Sequence, residues 1–347
     1  MPARTPAAKM LLRQLVGNPM PHKPFPDPAA VHPGEAEMLS AVLANLTDDL
    51  PKLVYADWLE ERGDPRGVFL REFTTAARSG GKLPRPGKMS KAWLDLIGHR
   101  AVAAVREREL SLTADEMLRD ALPAVAFTSK KAKDAAIPVG ASKFGGEPDV
   151  PAKFRWPKYE YGGSLAFLAQ FNLAELSVSP ACRELPAEGL LSVFYARSGE
   201  VFDSSDKGGW KVYHFPDAGG LTRRGSPDDV PAEDRTTACR LAFSERLWLP
   251  EGNYFDLDAL HTIYQQSVRR TDFSHQLLGG AEWLQGPAGW ADRKKGGKLK
   301  YRHLLTLDGD KNAGWTWGDA GLLYFGISAD DLKAGRFDRT VFEMQCC

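Results

Sequence analysis

The sequence predicts an α+β protein in which a small helical module precedes a mixed, mostly antiparallel β-rich domain. Three observations carry that expectation. Apolar residues recur at helical spacing between about positions 35 and 122, the period shortens to that of strands from about Pro138, and Gly, Pro and Asp then separate short apolar runs. At 347 residues, 43% hydrophobic and 26% charged, the chain is long enough for two domains with real cores.

Eight of the 24 prolines fall within residues 1–34, which predicts a flexible arm, because each removes a backbone donor and pushes its predecessor out of the helical region. Residues 35–77 follow as a compact helical module. Ala36, Leu39, Leu43 and Leu46 share a helix face. Pro51 suits the first turn of a second helix carrying Leu53, Ala56, Trp58 and Leu59 up to Gly63, and Asp64-Pro65 opens a third with Val68, Phe69 and Phe73. Trp58 is expected at the centre of this small core. Residues 78–137 read as a linker and helices: Ser79-Gly80-Gly81 to Pro86-Gly87 is loop-like, Trp93, Leu94 and Ile97 begin one helix, and Thr113-Ala114-Asp115-Glu116 is a capping box before Met117, Leu118, Ala121 and Leu122.

Residues 138–347 form the second domain. Leu165–Phe171, Leu190–Tyr195, Lys211–Phe215, Arg240–Leu249, Tyr301–Leu307, Leu322–Ile327 and Thr340–Cys346 are its expected strands. One helix interrupts them, capped by Asp256 and carrying Leu257, Leu260, Ile263 and Tyr264. An internal duplication is suggested as well. Gly145-Gly146, Leu168–Asn172 and Gly189–Phe194 are echoed by Gly279-Gly280, Leu304–Asp308 and Gly321–Phe325 at similar spacings.

Two resemblances attach to these segments. The run Asp48-Asp49-Leu50-Pro51-Lys52-Leu53-Val54-Tyr55-Ala56-Asp57-Trp58-Leu59-Glu60-Glu61-Arg62-Gly63-Asp64-Pro65-Arg66-Gly67 resembles the repeat-companion domain found beside repeat arrays in large bacterial genomes, over Glu35 to Phe73. That resemblance implies a helical module and carries no catalytic residue. Ser142–Pro151, Trp156-Pro157, Phe167–Leu173, Gly189–Tyr195, His275–Gly279, Trp317–Phe325 and Gln345-Cys346 together resemble the YwqG-like family of bacterial proteins, whose resemblance implies a fold and no assigned active site.

Charge and composition exclude several classes. With 45 basic and 45 acidic side chains, no net field steers the chain to nucleic acid or an anionic membrane. The basic excess over residues 82–108 (Lys82, Arg85, Lys88, Lys91, Arg100, Arg106, Arg108) has only Trp93 as an aromatic platform, so it reads as a solvated face. Asp57, Glu60 and Glu61 read the same way. No apolar run spans a bilayer and no signal-peptide h-region precedes the helices, so a cytoplasmic location is expected. Cys182, Cys239, Cys346 and Cys347 form neither a disulfide framework nor a C-x-x-C pair, and no close His pair exists, so neither metal nor cofactor is expected.

No G-x-S-x-G elbow occurs and Gly145-Gly146 is not followed by a phosphate-binding helix. Recognition is the preferred reading: a bacterial cytoplasmic adaptor that binds a protein or peptide partner, with an immunity-like or regulatory role by analogy. Its expected contacts are Trp156, Trp290 and Trp315, which fall in loop-like sequence, with Gln170, His275 and Asp319, polar groups set among apolar neighbours that should either join an internal hydrogen-bond network bracing loops or converge on one groove between the halves. The alternative is a hydrolase-type enzyme using His275 and Asp319, with Cys182 or Cys346 as nucleophile.

Overall fold

A computed structural model describes residues 23–107, 114–199, 201–249, 275–291 and 300–346. The helix expected after Asp256, the cap residue Thr113 and most of the proline-rich arm lie outside the described residues.

The helical part begins with α1 (Glu35–Ala44), α2 (Asp49–Glu60) and α3 (Arg66–Ser79). Asp48 caps α2 by accepting from the Leu50 N–H, and α3 packs so closely on α2 that a Cβ on Gly67 would lie 2.6 Å from the Ala56 carbonyl. Two further helices, α4 (Lys91–Leu96) and α5 (His99–Glu107), and the short α6 (Ala114–Leu118) complete it. On α2 the inward face is Lys52, Tyr55, Ala56 and Leu59, spaced i, i+3, i+4 and i+7. Trp58 falls at the margin of that stripe. It is half-buried, with the Arg62 guanidinium 3.7 Å over its ring, and the expected central position belongs to Tyr55 and Trp93. The Trp93 indole donates to the Tyr55 hydroxyl, which donates to Glu35, and Glu35 is paired with Arg66 at 2.7 Å.

The strands in chain order are β1 (Leu122–Lys131), β2 (Lys143–Phe144), β3 (Asp149–Pro151), β4 (Lys158–Tyr159), β5 (Gly163–Ser164), β6 (Ala166–Asn172), β7 (Leu190–Tyr195), β8 (Trp210–Phe215), β9 (Leu221–Arg223), β10 (Cys239–Trp248), β11 (Gln276–Leu278), β12 (Arg302–Asp308), β13 (Leu322–Ile327) and β14 (Val341–Gln345). Ten of them form one antiparallel sheet in the order β14-β13-β12-β11-β1-β10-β2-β6-β7-β8. The strand β1 lies ahead of Pro138, where the apolar period shortens, within the stretch expected to hold linker and helices. Its Pro123 and two alanines hide a strand that the sheet makes central by pairing both its edges. Residues 24–34, expected in the flexible arm, are held along β10: the Pro24 carbonyl accepts from Phe243, Phe25 packs on the Phe243 ring, and Ala29 donates to the buried Glu245.

The strand order is a palindrome about the β1–β10 pair, so β2-β6-β7-β8 and β11-β12-β13-β14 are equivalent ribbons. Register supports the equivalence in detail. Lys143 pairs with Gln170 as Gln276 pairs with Thr306, Leu190 begins β7 as Leu322 begins β13, and each ribbon has one register shift, between Phe167 and Ala169 and between His303 and Leu305. The consecutive left-handed residues Gly145-Gly146 (φ 53° and 67°) correspond to Leu278-Gly279 (φ 59° and 68°). The sequence echo is therefore displaced by one residue from Gly279-Gly280, because the match follows the backbone conformation and not the glycine letters.

The two outer ribbons curve round until their edges meet. Met344 of β14 donates to the Phe202 carbonyl, Ser204 exchanges hydrogen bonds with Phe342, and the Trp210 indole donates to the Thr340 carbonyl. The sheet is thus nearly a barrel, filled by a large aromatic core, with a seam where β14 faces the segment leading into β8.

Candidate functional site

The seam does not close completely. Beside it lies a pocket of about 300 Å³ lined by Tyr195, Arg197, Ser198, Phe202, Trp317 and Met344, among others. Tyr195 ends β7 and Met344 belongs to β14, so the two ribbons contribute one wall each. The β12–β13 loop contributes Trp317, packed edge-on against Tyr195 and stacked on Trp315 with centroids 5.6 Å apart. Phe202 stands on the rim, 51% exposed.

The polar groups of this pocket are unusual. Trp317 is 3% exposed and its indole N–H has no acceptor among the described residues. Arg197 sits over the Trp317 ring at 5.9 Å, and its one hydrogen bond among the described residues goes to the Glu233 carbonyl. Burial pulls its guanidinium below the ordinary arginine range, partly offset by the charge of Asp234. Asp234 takes a hydrogen bond from Ser198 at 2.6 Å and makes no ion pair with Arg197.

The residues expected to converge on a groove separate. Gln170 is fully buried and satisfied: its amide donates to Ala141 O and Asp149 Oδ2 (2.8 and 2.7 Å) and its Oε1 accepts from Asp149 N, in a network that also holds Arg223. His275 is fully buried too. Its Nδ1 accepts from the Asp308 N–H at 3.0 Å, so Nε2 carries the proton, which faces Asp310 Oδ2 at 3.2 Å. Asp319 is exposed. Trp315 is buried, donating to Asp308 O, and its ring meets that of His275 with centroids 6.5 Å apart. These two are the members of the expected set that come together, and they do so under the β12–β13 loop: Asp310 also accepts from Asn312 and Ala313, so His275, Asp310 and Trp315 hold the loop that presents Trp317. Trp156 is half-buried and donates to Leu165 O, and Trp290 packs on Trp283 on the other side of β13, over Gly326.

Hydrolytic machinery is not assembled at these positions. Both imidazole nitrogens of His275 are occupied, Cys182 is buried with its thiol pushed up by desolvation, and the Ser164 hydroxyl faces Asp229 at 3.0 Å with no imidazole beside it. Among the described residues no three His, Cys, Asp or Glu side chains gather as a metal ion needs, and no helix is long and apolar enough to cross a membrane. Arg197, Tyr195, Asp234 and Met344 were not singled out by the sequence. The available signal was Arg197-Ser198 directly after an apolar strand, a position where a β-sheet places its first polar groups at the rim.

Fold and site together define a class: a duplicated, nearly closed antiparallel β-domain carrying a helical module, with one aromatic and cationic pocket at the seam. A family described as a domain of unknown function, DUF1963, matches residues 142–346, more than half of the chain, and the chain belongs to that family. The matched range covers both ribbons and every residue named in the pocket. No curated protein matches the chain.

Proposed function

We propose that this protein is a binding protein that takes a peptide or protein partner at the seam pocket. The observation that carries the reading is the Trp317 indole N–H, buried with no acceptor among the described residues, beside the half-buried Arg197 guanidinium, whose one hydrogen bond among those residues goes to the Glu233 carbonyl. A buried donor left without an acceptor costs about 1–3 kcal/mol, so such groups mark places where a partner completes the hydrogen bonding. The exposed Phe202 at the rim supplies an apolar anchor of the kind that recognition surfaces use. The ordered motifs of residues 138–347 favour the YwqG-like grouping inside the family, and the helical module fits the repeat-companion reading and a role in a bacterial cytoplasm. We read the enzyme alternative as the weaker one, since His275 has no free lone pair to act as a base.

The test is selection of displayed random peptides on the full chain, followed by titration of the selected peptides against Phe202→Asp and Thr316→Arg, two exposed positions on the pocket. Binding lost in both variants is the expected result. Peptides that bind both variants as well as the unmodified protein, or a selection that yields no binder, overturn the assignment.

A further inference from the structure

We infer that the seam pocket recognises a carboxylate carried next to an apolar side chain, in the form of the C-terminal residue of a peptide; this rests on the binding reading above and specifies its ligand. The Trp317 indole N–H and the N–H groups of Arg197 beyond the one bound to Glu233 are all donors, and they call for the same complementary chemistry. A guanidinium that is partly desolvated and makes no ion pair among the described residues keeps much of the cost of its lost hydration, and an anion is what repays it. The indole N–H of Trp317, itself 3% exposed, needs an acceptor and can take only one. A carboxylate offers two oxygens, one for each donor, and Arg197 retains its second terminal nitrogen and Nε because only Nη1 is bound to Glu233 O.

The remaining walls select what the carboxylate is attached to. Tyr195, Trp317 and Met344 are apolar and polarizable, suited to an aliphatic or aromatic side chain. A volume of about 300 Å³ stands at the small end of ligand pockets and holds a single residue rather than a chain passing through. Asp234, also on the pocket, gives one oxygen to Ser198 and keeps the other for a donor, which the last backbone N–H of a peptide supplies.

The experiment follows the indole N–H resonance of Trp317, assigned by its loss in Trp317→Phe, in the full chain uniformly labelled with ¹⁵N. Four probes are titrated: N-acetyl-leucine, N-acetyl-leucinamide, a pentapeptide ending in leucine with a free carboxylate, and the same pentapeptide amidated. The inference expects the two acids to shift this resonance saturably and the two amides to bind at least ~10-fold more weakly, the loss of one charge-assisted hydrogen bond. Arg197→Gln, with Arg197→Lys as the charge-preserving companion, is expected to lose ~10- to 100-fold in affinity for the acids while the amides change little. If N-acetyl-leucine binds and the free-acid peptide does not, a small carboxylate and not a chain end is the ligand, and the peptide assignment falls. If acid and amide peptides bind the pocket equally, carboxylate recognition is refuted while a seam binding site stands. If none of the four moves the resonance, both readings fail.

Discussion

Lowering the pH from 7.5 to 5 is expected to cost the folded protein about 2 kcal/mol through one side chain, His303. This imidazole is 6% exposed at the register shift of β12, where its Nδ1 donates to the Leu278 carbonyl at 2.9 Å and its Nε2 accepts from the Thr306 hydroxyl at 2.7 Å. Burial pushes its pKa down from 6.5 to about 4, the nearby Arg246 charge adds to that, and the Leu278 carbonyl opposes it. The unfolded chain takes up the proton near 6.5 and the folded one only near 4, so between these values the unfolded state binds more protons and stability falls as pH falls. At pH 5 the unfolded state gains about 30-fold from protonation and the folded state almost nothing, which gives the ~2 kcal/mol. The perturbation is His303→Phe, the residue that the other ribbon holds at the equivalent bulge, Phe167. The variant is expected to be less stable at pH 7.5 by roughly 1–3 kcal/mol for the lost hydrogen bonds, and the deficit is expected to shrink by about 2 kcal/mol at pH 5. Urea unfolding at both pH values, by tryptophan fluorescence and far-ultraviolet circular dichroism, measures this. Groups titrating identically in both proteins, Glu245 among them, cancel in the difference. Stability curves that run parallel from pH 7.5 to 5 would refute the reasoning.

Two further outcomes follow from packing and pairing. Arg66→Ala leaves Glu35, which is fully buried, and Asp64 without their guanidinium, and is expected to cost about 3–5 kcal/mol in urea unfolding, a loss that Arg66→Lys recovers only in part. Gly280→Ala would put a methyl 2.4 Å from the Trp248 ring and is expected to destabilise by roughly 1–3 kcal/mol, whereas Gly225→Ala, with nothing within 4 Å, should leave the melting temperature unchanged.

Strands whose apolar runs are long and bounded by Gly, Pro or Asp were legible in the sequence: β7 and β13 lie where the alternation puts them, at Leu190–Tyr195 and Leu322–Ile327. The elements that escaped were specified by partners instead. The pair Lys143–Phe144 is too short to show any period, and it is a strand because β10 and β6 flank it. The candidate site failed to emerge for a related reason. Gln170 and His275 stand out as polar letters among apolar ones, yet such a pattern marks any buried polar group, and here Asp149 at the start of β3 and Asp310 in the β12–β13 loop, 21 and 35 residues away, satisfy them. What marks Trp317 is a buried N–H with no acceptor among the described residues, and such an absence can be read only once the surroundings are in place.

The duplication explains why the open site lies where it does. At the centre β1 and β10 pair with each other along a ten-residue ladder, and the helical module covers one end of β10 by packing on Leu247 and Leu249, so neither place has room for a ligand. Within each ribbon the left-handed pair is locked: a Cβ on Gly145 would strike the Thr237 carbonyl at 2.4 Å. Leu278 bears the same conformation at a cost of about 1–2 kcal/mol, offset by burying a side chain that is 2% exposed and by the His303 and Gln276 donors on its carbonyl. Change at either point breaks the sheet. The seam is different, because β14 meets only a short irregular segment there, through one bridge between Asp203 and Glu343 and a few side-chain hydrogen bonds. Residues on that edge can vary without cutting a ladder, and the loops that follow β7 and β12 bring Arg197, Ser198, Thr316 and Trp317 to it. A pocket that recognises a partner therefore costs this fold least at its seam, and the Trp317 N–H and the Arg197 guanidinium are found there.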